Sequence, residues 1–188
     1  MSITYRQHRI KWNTCQACTL CSTRRNVVLA RGSLPCDVLF IGEAPGASED
    51  TIGQPFIGPA GKLLDRLIEK ATDRRNDYRI AFTNLIACIP KEDGDKVTAP
   101  PKESVEACRP RLLEMIQLAR PQAIVRVGEH SKRHIEAMLT VGALRTTATI
   151  VDITHPAAIL RMDVTQQGLA AQRATVIIAD VLDDLIPF

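Results

Sequence analysis

Four short apolar runs, each ending beside a residue able to do chemistry, constrain this chain more than any other feature. They are Asp37 to Glu43 (DVLFIGE), Tyr78 to Asn84 (YRIAFTN), Gln122 to Gly128 (QAIVRVG) and Thr149 to Thr154 (TIVDIT), the last running straight into His155. Their apolar residues are continuous rather than alternating, the pattern of strands covered on both faces. Helical patterns stand between and after them: Pro59 to Ala71, Pro101 to Gln117, Glu129 to Leu139, and about Thr165 to Leu185. Strands alternating with helices predict an α/β fold with a parallel sheet and helices on both sides. Ligands of such folds bind beyond the carboxyl ends of the strands. Glu43, Asn84 and His155 are therefore expected to converge on one edge of the sheet. The segment from Pro90 to Pro101, PKEDGDKVTAPP, reads as a loop-like excursion rich in charge and proline.

At 188 residues and 45% hydrophobic composition, the chain has material for one domain spanning 1–188. Only 4% of it is aromatic, so the core is expected to be aliphatic. No apolar run approaches the roughly 20 residues of a membrane-spanning helix. The opening MSITYRQHRIKW lacks the apolar stretch of a secretory signal. The expectation is a soluble, cytoplasmic, monomeric protein with no membrane partner.

Charge is unevenly spread. Residues 1–36 carry Arg6, Arg9, Lys11, Arg24, Arg25 and Arg31 with no acid, which leaves 18 basic and 21 acidic residues for the remainder. A basic end on a mildly acidic body suits a polyanionic partner, nucleic acid first among them. A solvated basic face reads equally well. An organelle transit peptide would share the pattern, but four cysteines and a tryptophan in that stretch argue for folded structure.

Six cysteines without a secretory signal look like metal ligands plus spare thiols rather than a disulfide framework. Cys15 and Cys18 form a C-x2-C pair, Cys21 extends it, and Cys88 and Cys108 follow much later. Thiolates suit both zinc and iron–sulfur clusters, and spacing alone does not separate the two. Cys21 and Cys36 read as the spares. Glu49 and Asp50 read as solvated residues of a turn.

These motifs together resemble family 4 of the uracil-DNA glycosylases. GEAPGASEDTIGQPFIGPAGKLL (42–64) is similar to that family's first signature, TNLIAC (83–88) to its asparagine-bearing strand with a cluster cysteine, and APPKESVEAC (99–108) to the helix start leading to the last cysteine. HPAAILR (155–161) resembles its second active-site motif, and CQACTLCSTRRNVV (15–28) resembles its N-terminal cluster loop, which is expected at about residues 12–25. The resemblance implies a three-layer α/β/α sandwich with a short central parallel sheet. It also implies a structural 4Fe–4S cluster held by Cys15, Cys18, Cys88 and Cys108. The implied partner is DNA containing uracil, single- or double-stranded, and the implied reaction is monofunctional hydrolysis of the uracil N-glycosidic bond.

A base within a stacked duplex must be flipped into a pocket before it is excised. On that reading Phe56 offers a platform for the flipped ring, its flanking glycines suggesting exposure, with an ordinary core phenylalanine as the alternative. Asn84 carries the donor and acceptor that suit the O4 and N3–H edge of uracil. His155 is placed to donate to uracil O2 as negative charge develops there. Glu43 either orients water and steadies a cationic sugar, or fills the space beside C5 and excludes the thymine methyl. Gly42, Ala44, Pro45 and Gly46 line the same turn, with backbone N–H groups for water or phosphate. Arg24, Arg25, Lys62, Leu160 and Arg161 are candidates for contact with the DNA strand. No lysine sits in a recognisable motif for Schiff-base chemistry. The chain departs from the family after Cys88, where IPKEDGDKVTAPP replaces a shorter, more basic stretch, and at Ala87, which stands where Lys or Arg is usual. Those departures bear on which base is removed. Related scaffolds serve other modified bases, and a silent binding module or an enzyme of free nucleotides would share the same pocket.

Overall fold

The computed structural model describes residues 3–73, 77–91 and 97–185. In chain order these form α1 (Tyr5–Trp12), a 3-10 turn (Thr19–Cys21), β1 (Arg31–Gly32), β2 (Val38–Gly42), α2 (Ala47–Ile52), α3 (Pro59–Ala71), β3 (Ile80–Asn84) and α4 (Lys102–Ala119). They continue with β4 (Ala123–Val127), α5 (Glu129–Thr140), β5 (Thr149–Ile153), α6 (Pro156–Ile159) and α7 (Val164–Asp183).

The four strands expected from the sequence pair in parallel, in the order β3-β2-β4-β5. Sequence patterning missed β1, which adds to β3 antiparallel through Arg31↔Phe82 and Gly32↔Ala81. Two residues are too few to show a period. The short helices α1, α2 and α6 escaped for the same reason. All five residues of β2 and of β4 are buried, as continuous apolar runs require. β5 is a departure: it lies at the sheet edge, and Thr149 to Asp152 keep part of their surface in solvent.

Each long helix buries a stripe at the 3.6-residue period. α3 starts with Pro59 in its first turn, where the missing N–H costs nothing, and buries Leu64, Leu67, Ile68 and Ala71. α7 is capped by Asp163, whose side chain accepts the Gln166 N–H at 3.0 Å, and buries Ala174, Ile178, Val181 and Leu182. These two helices cover one face of the sheet, against Val38, Phe40, Val125 and Val127. α4 and α5 cover the other, packing Leu112, Ile116 and Ile135 against Leu39, Ile41 and Ile124. Each fully buried aliphatic side chain contributes about 1.5–3 kcal/mol, so the two faces together set the sheet firmly between its helices. The result is a three-layer α/β/α sandwich.

Among the described residues no helix is long and apolar enough to cross a membrane. The excursion at 90–101 lies partly outside the described residues; within it Lys91 and Val97 form an antiparallel bridge.

Strand order positions the site. The chain leaves central β2 for β3 on one side, then returns to β4 on the other. The carboxyl ends of β2 and β4 flank this reversal, where α/β sheets open a crevice.

Candidate active site

Because β2, β3, β4 and β5 run parallel, Glu43, Asn84, Gly128 and His155 leave the sheet at the same edge. Gly42 is the register partner of Asn84, and the two stand so close that a methyl group on Gly42 would collide with Asn84 Oδ1 and come within 2.5 Å of Phe56 Cζ. Glycine at 42 is what lets the amide and the ring share one corner. Asn84 is only 3% exposed, and among the described residues its side-chain amide makes no hydrogen bond. Buried amides are normally paired. Its own carbonyl, by contrast, is held by Arg111 Nη2 at 2.5 Å.

Phe56 is 6% exposed and its ring packs against Phe82 at 5.7 Å between centroids. The exposed platform expected from its glycine neighbours is corrected: the ring is a core member with its tip at the pocket corner. It has positive φ, 56°, and the helix at Gly61 approaches its backbone so closely that any side chain there would overlap it. Arg31 anchors the same turn, donating to the carbonyls of Pro55 at 3.1 Å and Phe56 at 3.2 Å.

Glu49 and Asp50 also correct the sequence reading, for both are buried. Glu49 Oε1 accepts the N–H groups of Ile57 at 2.9 Å and Gly58 at 2.7 Å, and its Oε2 accepts that of Gly46 at 3.2 Å. One carboxylate thus ties the GEAPG turn to the turn bearing Phe56. Asp50 Oδ1 accepts the N–H of Arg25 at 2.9 Å and of Asn26 at 3.3 Å. Acidic residues in a turn look solvated in sequence; only the folded chain reveals how many unpaired N–H groups surround them.

His155 precedes α6, with Pro156 fixing the first helical φ. Its Nδ1 accepts the Ala157 N–H at 3.1 Å. That bond requires an unprotonated Nδ1, so the neutral ring carries its proton on Nε2. Burial lowers the His155 pKa, and the nearby positive charges of Arg161 and His130 lower it further. Gly128, at φ +87°, makes room for the ring: a Cβ there would lie 2.8 Å from His155 Cβ.

Glu43 is half-buried, and burial raises its pKa against the opposing charges of His130 and Arg133. Its Oε1 lies 3.5 Å from His130 Nδ1. His130, on the first turn of α5, was not singled out in the sequence; three more histidines and no motif around it left nothing to mark it. Ala44 and Gly46 keep part of their surface, while Gly42 and Pro45 are buried. Arg25, Lys62, Leu160 and Arg161 are exposed. Arg24 is only partly exposed, with Nη2 donating to the Cys15 carbonyl at 2.6 Å and Nη1 to Cys88 Sγ at 3.5 Å. The guanidinium of Arg24 thus reaches the cysteines, while the residue also lines a polar groove. Arg9, Arg25 and Arg31 line the same groove, with Asn26 and Gln54.

Cys15, Cys18, Cys88 and Cys108 all face one small cavity, closed by Trp12, Val27 and Ala87. Leu20, Ile86 and Val105 pack around it. Burial pushes the Cys88 thiol up to about 11, so a metal would have to displace its proton. Among the described residues no group of three or more such side chains is gathered tightly enough to grip a single ion. A 4Fe–4S cluster bonds each thiolate to a different iron, and its ligands stand further apart than those of one ion. Four cysteines ringing a common apolar cavity fit that requirement. Cys36 is fully buried with its thiol pushed up to about 12, and Cys21 lies in the polar groove.

The fold is an α/β/α sandwich that gathers Glu43, Asn84 and His155 at its switch-point edge, where such sheets place their ligand crevice. The chain belongs to the uracil DNA glycosylase superfamily, whose family model matches residues 30–176. That stretch holds every pocket residue together with Cys88 and Cys108; Cys15 and Cys18 lie before it. The chain is similar to the type-4 uracil-DNA glycosylase of Saccharolobus solfataricus, 40% identical over 121 residues, which cover 64% of this chain and 54% of that protein. It is also similar to that of Thermotoga maritima, 39% identical over 114 residues, 61% of this chain and 56% of the other. The chain spans about half the length of the curated relatives it matches. A solution structure from Methanosarcina acetivorans, described as a candidate uracil DNA glycosylase, has a TM-score of 0.51 over 81% of this chain and 98% of its own, at 11% identity, and supports the fold.

Proposed function

We propose that this protein is a monofunctional glycosylase that excises uracil from DNA. The observation that carries the reading is the Asn84 amide, buried and without a hydrogen bond in a corner shared with Phe56. Among the described residues no group pairs with that amide, which leaves a ligand to complete its donor and acceptor. A flipped uracil would do so, accepting from the amide N–H at O4 and donating N3–H to Oδ1. The names of the type-4 relatives support the same reading.

Cleavage of the C1′–N1 bond leaves negative charge on the departing uracil. His155, kept neutral by burial and by Arg161, donates from Nε2 to O2 as that charge grows. A preorganised donor of this kind accelerates such a step by about 100–1,000-fold. Glu43 either orients water and steadies the cationic sugar or fills the space beside uracil C5, and its Oε1 lies 3.5 Å from His130 Nδ1. Arg25, Lys62 and Arg161 reach the strand's phosphates, while Leu160, 40% exposed, enters the space the base leaves. Cys15, Cys18, Cys88 and Cys108 would hold a 4Fe–4S cluster, and through it the N-terminal segment would be joined to α4 and to the loop that follows Asn84.

The test uses anaerobically prepared protein and oligonucleotides carrying uracil, hypoxanthine, 5-hydroxymethyluracil or thymine, with abasic sites opened by alkali. Cleavage at uracil, depressed in both Asn84→Ala and His155→Ala, is the expected result. Cleavage at another base alone moves the specificity and keeps the site. No cleavage of any substrate by iron-loaded protein overturns the reading.

A further inference from the structure

Arg111 is the largest fully buried side chain described, 1% exposed, and lies one helical turn along α4 from Cys108 on the wall of the cysteine cavity. Its Nη groups donate to Thr83 Oγ1 at 2.9 Å and to the carbonyls of Asn84 at 2.5 Å and Leu85 at 2.8 Å. Its Nε is buried with no hydrogen-bond partner. Among the described residues no carboxylate forms an ion pair with it. A guanidinium keeps its charge at every ordinary pH, and a buried charge without a counter-ion costs several kcal/mol. Carbonyl dipoles satisfy its forks but supply no negative charge.

The cavity supplies it. Four thiolates on an iron–sulfur core carry net negative charge, and hydrogen bonds and charges near the sulfurs tune such centres. Arg24 meets the cavity from the other side, through Cys88 Sγ and the Cys15 carbonyl. We infer that Arg111 is a positioning residue that serves both as counter-charge to the four-cysteine centre and as the strut that fixes Asn84, with Arg24 sharing the first role alone. The inference rests on the glycosylase and cluster readings above. It explains how a centre outside the pocket reaches it: the helix that supplies Cys108 also supplies the side chain that grips the Asn84 carbonyl. A displaced α4 would move the amide that reads the base.

The experiment compares wild type, Arg111→Met, Arg111→Lys and Arg24→Met as iron-loaded, full-length proteins. The midpoint potential of the centre is followed by EPR under anaerobic titration, and KM and kcat are measured separately on uracil-containing oligonucleotide. Removing a positive charge disfavours the reduced state, so Arg111→Met and Arg24→Met should each shift the midpoint to more negative values. Arg111→Lys keeps the charge but not the planar fork, so its midpoint should stay near wild type while KM rises roughly tenfold. A wild-type midpoint in Arg111→Met overturns the counter-charge role, and a wild-type KM in Arg111→Lys overturns the strut. If Arg111→Met fails to hold iron, Arg24→Met decides the first role and Arg111→Lys the second. Wild-type protein without an iron–sulfur spectrum overturns the cluster reading and this inference together; wild-type protein with the spectrum but without excision overturns the glycosylase reading and leaves the midpoint comparison to decide the counter-charge.

Discussion

The pocket edge and the cysteine cavity carry chemistry side by side, yet they are built in opposite ways. The pocket hangs on strand ends: register sets Gly42 beside Asn84, and a methyl group at Gly42 would crowd the Asn84 and Phe56 side chains as one at Gly128 would crowd that of His155. The cavity draws Cys15 and Cys18 from an N-terminal segment with one 3-10 turn, Cys88 from a loop after β3 and Cys108 from α4. A few apolar side chains and two arginines join those pieces. The sheet sets out the first region, and Glu49, Arg31 and Arg111 fix its turns and the end of β3. The second brings four thiols together from separate segments, which Glu114 of α4, accepting from Trp12 Nε1 at 3.0 Å, and the Val28 N–H, donating to the Ala87 carbonyl at 2.7 Å, also tie to one another.

The comparison breaks most plainly at a single cysteine. Cys15→Ser should cost on the order of 3–5 kcal/mol and lose iron, since structural metal sites return much of their binding energy as folding energy. Thermal unfolding and iron content check this, and a wild-type unfolding curve would mean the cavity is as self-sufficient as the pocket. His155→Ala is the mirror image: uracil excision should fall about 100–1,000-fold with iron content and unfolding unchanged. Single-turnover rates and calorimetry on the same preparation separate the two.

Glu49→Gln sharpens the contrast within the pocket. It keeps the shape of a carboxylate that accepts three backbone N–H groups, but replaces one acceptor with a donor. A loss of about 1.5–3 kcal/mol is expected, visible in denaturant unfolding together with weaker uracil binding. A neutral result would detach Phe56 from that anchor.

Acidity should act on the pocket first. The folded-state pKa of His155 lies below its ordinary 6.5, so the native protein resists a proton that the unfolded chain accepts. Its contribution to stability is full above about 6.5 and is lost as pH falls from there towards the folded pKa. Protonation also breaks the Nδ1 bond to Ala157. Excision should therefore hold through pH 6.5 and decline only below it. In His155→Gln the remaining acid limb should report Glu43, whose raised pKa puts its protonation above the ordinary 4.5. A rate that drops already above pH 7 in wild type would contradict the burial of His155. The smallest effect belongs to the surface: Arg25→Ala should weaken DNA binding evenly across sequences and reduce the salt slope by about one phosphate contact.

Much of this was legible in the chain. The apolar runs gave the parallel sheet, and their positions put Glu43, Asn84 and His155 on one edge, because a parallel strand's polarity decides where its last residue points. C-x2-C and the distant Cys88 and Cys108 marked the second region. What was not legible depended on neighbours remote in sequence. Glu49 and Asp50 look like surface acids until the turns at 57–58 and 25–26 fold over them. Arg24 looks like a phosphate contact alone until the fold brings its guanidinium to Cys88 and the Cys15 carbonyl. Phe56 looks exposed among glycines until Gly61 lets α3 close on its backbone and Phe82 receives its ring. Arg111 gave no signal, since an arginine in an amphipathic helix is ordinarily solvated. Periodicity and strand polarity are local, so the sequence alone determined the architecture and the edge on which the site lies. The burial of a charge and the partner that compensates it are properties of packing, and only the tertiary structure decided them.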